Sequence, residues 1–327
     1  MEYRELGKTG YRVSAVGLGT WAIGGSWGAT VDESEALNAI SYAIDRGVNF
    51  FDTADVYGDG RSETLLGHIV GHRPEIVVAT KFCRRGNLED PRNYAYDTVK
   101  QYALDSLARL RREAIDLYQV HCPPTWVIER GEVFEVLDRL RQEGLIRHYG
   151  VSVETVYEGL KALEYPGVAS LQVIFNIFRQ KPLDELLPQA ARHQVGILAR
   201  VPLASGLLTG KFRATDTFSP SDHRNFNRDG QAFNVGETFA GLPFEKGVEL
   251  ADQLRWIAEG RETMAAAALR WILDQAGISS VIPGFKNMEQ VKANLTALAV
   301  PPFTPEEQER LRTFYENAVA DSIRGPY

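Results

Sequence analysis

Short apolar runs recur along the chain, and between them the apolar positions fall three and four apart. The runs are Val16–Thr20, Asn49–Thr53, Ile76–Lys81, Asp116–His121, His148–Val153, Ser170–Asn176, Gly196–Val201 and Ser280–Pro283. Runs of four to eight residues rich in β-branched and aromatic side chains predict buried strands. The intervening stretches predict helices, most clearly at Asp97–Leu110, Glu132–Gln142, Glu154–Leu163 and Leu183–His193. A further helix opens at Asp32, with Glu35 three residues on and apolar Ala36, Ile40, Ala43 and Ile44, and Gly47 ends it. Eight strands alternating with helices predict a parallel sheet, and at this length a closed (β/α)8 TIM barrel over an open sheet. Before the first run, Tyr3–Leu6 and Tyr11–Val16 flank Gly7-Lys8-Thr9-Gly10, a β-hairpin pattern. The stretch Ser205–Gly247, rich in Gly, Ser, Asp, Arg and Phe, breaks the rhythm. Following the seventh strand, it would lie on the barrel's active face as a lid. One domain over residues 1–327 accounts for the pattern.

Chemistry-bearing side chains sit at the ends of successive runs: Asp52 and, after a turn, Tyr57; then Lys81; then His121. An ammonium beside a phenol stabilises the phenolate and should lower the tyrosine pKa. A carboxylate holds the lysine in place, and a histidine can donate to an oxygen that gains charge. Together they could protonate a carbonyl oxygen while hydride reaches its carbon. No side chain supplies hydride, so a nicotinamide or flavin is needed. On position alone, each is more often a structural strand-end residue than a catalytic one.

Bulk properties narrow the partners. Net charge is −7 and charged residues make up 24% of 327, giving no basic field for nucleic acid or an anionic membrane. The charged start Met1–Glu5 leads into no apolar signal core, and no run is long enough to span a bilayer. Two cysteines, Cys83 and Cys122, make no disulfide framework or metal-ligand spacing, so a cytoplasmic protein without a metal is expected. A monomer is the default expectation.

The segments Gly47–Gly58 and Gly60–Gly67, then Thr80-Lys81, Gln119-Val120-His121, Gly150-Val151-Ser152, Pro202–Lys211 and Ile282-Pro283-Gly284, occur in this order. In them the chain resembles the aldo-keto reductase superfamily over nearly its whole length, and bacterial members related to inositol-operon and general-stress reductases most closely. The resemblance implies NADPH bound in extended form and a barrel closed below by the hairpin. It implies Tyr57 as general acid, Lys81 and Asp52 as its tuners and His121 as the donor that orients the carbonyl of a small-molecule substrate. For the cofactor it implies Gly19, Thr20, Trp21 and Asp52 near the nicotinamide ribose, and Ser152 and Gln172 at the carboxamide. Pro202, Leu203, Ser205, Leu207 and Lys211 would follow the pyrophosphate, and Gly284, Lys286, Gln290 and Asn294 the adenosine end, with Lys286 for the 2′-phosphate. Gln290 and Asn294 lie four apart on one helix face and are equally explained as exposed polar residues.

Two positions depart from that pattern. Val153 stands where many relatives have Asn after the Ser, so one carboxamide hydrogen bond is expected to be missing or supplied elsewhere. Arg200 stands near the position of an aromatic that stacks on the nicotinamide, where a guanidinium plane would favour the neutral, reduced ring. Trp21, Trp27, Val56, Phe82 and Trp126 are the expected substrate-pocket residues, with Phe226 and Phe233 joining from the lid, which suits carbonyls with an apolar or ring portion. Arg224 is a candidate for cofactor phosphates or an anionic substrate. Arg109, Arg111 and Arg112 are expected to form a solvated basic face at a helix end. Gly17-Leu18-Gly19 lacks the full GxGxxG spacing of a dinucleotide loop. The resemblance also leaves a second reading, since potassium-channel β subunits share this pattern and act mainly as nicotinamide-sensing partners. A barrel lyase or hydrolase that uses no nicotinamide is a third reading.

Overall fold

The computed structural model describes residues 1–25, 28 and 30–327. Trp27 lies outside them.

Strands β1 (Tyr3–Glu5) and β2 (Arg12–Ser14) form the antiparallel hairpin. Eight parallel strands follow: β3 (Leu18–Gly19), β4 (Phe50–Asp52), β5 (Val77–Phe82), β6 (Ile115–His121), β7 (Ile146–Ser152), β8 (Val168–Ile174), β9 (Gly196–Arg200) and β10 (Ile278–Val281). Each pairs with its neighbour in sequence order from β3 to β10. Parallel bridges from Val16 to Val281 and from Gly19 to Gly284 bring the two ends of the sheet together and close the barrel. The eight predicted strands are therefore present, with boundaries shifted by a few residues.

Side-chain alternation sorts every strand into two layers. Outward residues such as Phe51, Val78, Phe82, Tyr118, Val120 and Ile197 pack under the helices. Inward residues divide by height. Low in the barrel, Phe50, Val77, Ala79, Leu117, Leu198 and Ile282 form an apolar plug with Leu6 and Val13 of the hairpin. The hairpin thus closes the N-terminal end. There Gly7, at φ +52, lies so close to Gly196 that an added Cβ would sit 2.4 Å from the Gly196 nitrogen. The next inward positions up the same strands are Asp52, Lys81, Gln119 and His121, and Arg200 stands at the end of β9. Period two alone carries β4, β5, β6 and β9 from an oily floor to a polar mouth.

The helix Glu33–Asp45 is capped as expected, with the Asp32 carboxylate accepting from the backbone N–H groups of Ser34 and Glu35. The basic face expected at 109–112 is not solvated. Arg109 bonds buried Glu63 at 2.6 Å. Arg112 bonds Asp116 at 2.5 Å and donates to the carbonyls of Val70, Arg73 and Ile76. Only Arg111 remains exposed. These arginines neutralise acids that project outward from the strand and helix layers, which spacing along one helix does not reveal.

The 205–247 segment crosses the mouth in short turns, including Ala204–Thr209, His223–Phe226, Val235–Glu237 and Phe239–Gly241. Its weak periodicity follows from this: few residues lie in long regular elements, and its anchors are scattered apolar side chains such as Phe239, Leu242 and Phe244 together with individual polar contacts. Arg324 near the C-terminus donates to the carbonyls of Arg228, Gly241 and Leu242. Buried Arg179 donates to that of Ala240.

Candidate active site

Lys81 is fully buried, and its ammonium makes three contacts: Asp52 Oδ1 at 2.5 Å, the Thr53 carbonyl at 2.8 Å and the Tyr57 hydroxyl at 3.1 Å. Asp52 Oδ2 accepts from the side-chain amides of Gln119 at 3.0 Å and Gln172 at 2.8 Å. The buried ion pair is thus completed by hydrogen bonds on both partners, the condition under which such a pair is tolerated. The Tyr57 ring stands edge-on to His121, with centroids 5.8 Å apart. The structure brings all four expected residues together.

Burial pulls the Lys81 ammonium down, but Asp52 and the Tyr57 oxygen outweigh it and hold the group above its ordinary value. It is a permanent cation. Tyr57 runs opposite to the expectation. Burial raises it, aided by Asp52 and Glu237, and the Lys81 charge only partly offsets this. The phenol therefore keeps its proton in the resting site. Burial, then the charges of Arg84, Lys81 and Arg200, push His121 well below the usual histidine range. It is a neutral imidazole that can serve as a polar donor.

A second network, not anticipated from the sequence beyond Arg200, flanks His121. Arg84 donates to the His121 carbonyl at 3.2 Å and to Glu237 of the long segment at 2.8 Å. Arg200 lies 3.5 Å from the same Glu237 oxygen and donates to the Val153 carbonyl at 3.1 Å. Burial pushes the Glu237 carboxyl up, but Arg84 and Arg200 outweigh this and leave it below the usual glutamate range. Asn234 adds a bond to Glu154, which lies 3.5 Å from Arg84. Cys122 and the two glutamates bring ligand atoms within 4.8 Å of one another, but the two guanidiniums hold the carboxylates there. Gln119 and Arg84 had a legible signal: Gln119 shares parity with His121, and Arg84 follows Lys81 off the same strand. Glu237 had none, since it arrives across the mouth from an irregular segment.

The remaining expected residues divide. Trp21 stacks on Tyr57 with centroids 6.0 Å apart, and His223 and Phe233 of the long segment pack on Trp21 at 4.7 and 6.0 Å. Phe226 meets Phe233 at 6.2 Å. Val56 is half-buried in the turn before Tyr57. Phe82 is a correction: it lies under the helices, stacked on Tyr118 at 4.6 Å, because strand alternation turns it away from inward Lys81. Trp126 packs against Tyr94 and donates to Glu89. Thr20 is fully buried and bonds the Asp52 carbonyl and Ser62, so its side chain ties β3 to β4. Ser152 contacts Cys122 Sγ at 3.3 Å. Gln172 commits its amide nitrogen to Asp52 and Gln119.

Gly19, in β3, donates its backbone N–H to the Pro283 carbonyl. Pro202 and Leu203 form the turn leaving β9. Ser205 ties that turn to Glu237 and Phe239. The Leu207 side chain is core. Lys211 is exposed. Arg224 is held bidentate by Asp222, at 2.9 and 2.7 Å. Gln290 accepts from the Lys286 backbone N–H, and Asn294 donates to the Gly284 carbonyl, so both shape the 284–286 loop. Among the described residues, nothing lies within 4 Å of a Cβ placed at Gly284.

Two buried nitrogens at the mouth, His121 Nδ1 and Arg200 Nε, have no hydrogen-bond partner among the described residues. Buried polar atoms are rarely left so, and a ligand seated beside the tetrad would explain them. The donor set and the open loop at Gly284 fit a cofactor laid across the strand ends.

Residues 15–316 match the aldo/keto reductase family, and the chain belongs to that family of oxidoreductases, whose members act on carbonyl and alcohol groups. It is 33% identical to the aldo-keto reductase YhdN of Bacillus subtilis (strain 168), with all of this chain and 97% of that protein aligned. The solved glycerol dehydrogenase of Gluconobacter oxydans superposes with a TM-score of 0.79 at 31% identity, over 99% of this chain and 98% of that one. A probable voltage-gated potassium channel subunit beta of Arabidopsis thaliana is 28% identical over 93% of this chain and 94% of its own length.

Proposed function

We propose that this protein uses NADPH to reduce aldehydes, and some ketones, to alcohols. The observation that carries the reading is the Tyr57 hydroxyl 3.1 Å from a buried ammonium that is itself fixed on Asp52. Gly19, Trp21, Ser152, Gln172, Arg200, the 202–211 turn and the 284–294 segment would hold NADPH, which would supply the hydride. The chain's own residues do the rest. Tyr57 and neutral His121 receive the carbonyl oxygen between them. As negative charge develops there, Tyr57 gives up its proton and His121 donates a hydrogen bond. The phenolate left behind forms beside the Lys81 ammonium, which favours it most when it is charged. Asp52, held by Gln119 and Gln172, keeps that ammonium in place. Trp21 and Phe233 offer an apolar wall beside Tyr57, which suits a carbonyl with an apolar portion. The protein acts alone on a small molecule in a reducing compartment, the cytoplasm, as one domain.

The test is NADPH oxidation, followed by absorbance, across sugar, aliphatic and aromatic aldehydes. Rapid turnover on one class supports the reading. Similarity to the channel β subunit favours one alternative, a nicotinamide-sensing subunit with weak reductase activity. Tight NADPH retention with slow turnover on every carbonyl would favour it.

A further inference from the structure

Tyr57 sits at the centre of the turn 55–59, and one side chain holds both ends of that turn. Arg85, four residues beyond Lys81, donates from Nε and Nη2 to the Asp55 carbonyl at 3.3 and 3.2 Å. Its Nη2 also reaches Asp59 Oδ1 at 2.5 Å, and its Nε lies 3.8 Å from Asp55 Oδ2. Backbone bonds also support the turn: Tyr57 donates to the Ala54 carbonyl, Asp59 to that of Val56 and Asp55 to that of Lys81, while Ser62 and Arg61 donate to the carbonyls of Tyr57 and Gly58. Gly58, at φ +61, passes so close to Gly24 that an added Cβ would meet its carbonyl oxygen at 1.9 Å. The turn is therefore wedged on one side and gripped on the other.

The two acids are unequal. The Asp59 side chain is 91% exposed, so its ion pair is screened and weak. The Asp55 carboxyl is 1% exposed, and among the described residues neither of its oxygens has a well-formed hydrogen bond, only the pull of the Val56 backbone N–H. Glu63 and Arg109 face it from the helices, with Arg85 at the strand end, and Tyr102, Tyr118 and Cys83 feel its charge. Among the described residues, Arg85 is the cation paired with it.

We propose that Arg85 is a positioning residue for the Tyr57 hydroxyl, gripping the 55–59 turn at both ends with buried Asp55 as its counter-charge. The proposal rests on Tyr57 as proton donor. Burial, then Glu63, push the Asp55 carboxyl up to about 7, against the pull of Arg85 and Arg109. Above that pH Asp55 is charged and draws Arg85 in. Below it, the grip falls back on one backbone carbonyl and exposed Asp59. The step in kcat should therefore rise with pH through about 7.

The experiment compares Arg85→Gln, Arg85→Lys and Asp55→Asn with wild type. Arg85→Gln should lower kcat by about tenfold to a hundredfold, the scale of a small misplacement of a reacting group. KM and the NADPH Kd from fluorescence quenching should stay near wild type. Arg85→Lys should recover part of the loss, since an ammonium lacks the guanidinium fork. A crystal structure of Arg85→Gln should show the Tyr57 hydroxyl out of hydrogen-bonding distance of Lys81. Asp55→Asn should lack the step near pH 7 and run at the wild type's low-pH rate. Wild-type kcat in Arg85→Gln, an unmoved Tyr57, or a pH step that survives in Asp55→Asn would each overturn the proposal. If wild type reduces no carbonyl, the reductase reading fails instead, and the crystal structure still decides whether Arg85 sets Tyr57.

Discussion

Replacing Asp55 with Asn should stabilise the protein at alkaline pH and do much less at acid pH. Asp55 is fully buried, and among the described residues neither of its carboxylate oxygens has a well-formed hydrogen bond. Its pKa is raised from 3.8 to about 7, burial being the largest cause and Glu63 the next. The sign follows from proton counts. Between those two values the folded state holds a proton that the unfolded chain has released, so stability falls as pH rises through the window. The whole displacement corresponds to roughly 4 kcal/mol, of which about 3 kcal/mol falls between pH 5 and pH 8. Asparagine has nearly the same shape and no charge to desolvate, so the variant escapes that loss. The assay is urea unfolding of both proteins at pH 5 and pH 8. The stability gap in favour of Asp55→Asn should widen by about 3 kcal/mol at the higher pH. A gap of equal size at both would show that Asp55 does not titrate as a buried acid in this range. A variant that gains stability while losing turnover at pH 8 is the signature of strain kept for function.

Other substitutions probe the mouth. Glu237→Ala removes the carboxylate shared by Arg84 and Arg200 and leaves two buried guanidiniums short of a partner, a loss of about 3–5 kcal/mol for a buried pair. Limited proteolysis should then cut faster within residues 205–247, and an unchanged cleavage pattern would mean that the segment is held by its other anchors. Arg200→Phe should raise NADP+ affinity relative to NADPH severalfold, because a fixed cation beside the oxidised ring is removed; Glu237 at 3.5 Å keeps the effect modest. Fluorescence titration with both cofactor forms measures the ratio, and no change would place Arg200 away from the nicotinamide.

The parts of the site legible in the sequence were those governed by period two. Asp52, Lys81 and His121 announce themselves because each stands at or next to the end of a strand whose lowest inward positions are apolar, and Gln119 follows from the same parity. That rule also shows why Phe82 belongs to the core: one residue beyond Lys81 is the other face. Charge pairing between elements was not legible. Arg109 and Arg112 looked solvated because Glu63 and Asp116 come from a different helix and from a strand. Glu237 meets Arg84 from 153 positions away. The pKa of Tyr57 was misjudged because the expectation weighed the Lys81 charge without the opposing effect of burial. Resemblance supplied roles that position alone left open, while Val153 and Arg200 marked where this chain builds its own mouth, with the Arg200 guanidinium donating to the Val153 carbonyl.

The central claim is that Tyr57 delivers the proton to the carbonyl oxygen. Tyr57→Phe removes one oxygen, leaving Lys81 still fixed on Asp52 and the Thr53 carbonyl. Turnover of the best aldehyde under saturating NADPH, measured beside NADPH binding by fluorescence quenching, separates chemistry from cofactor binding. The prediction is loss of turnover by at least about a hundredfold, the scale of a missing general acid, with NADPH affinity unchanged. Turnover retained in Tyr57→Phe would contradict it.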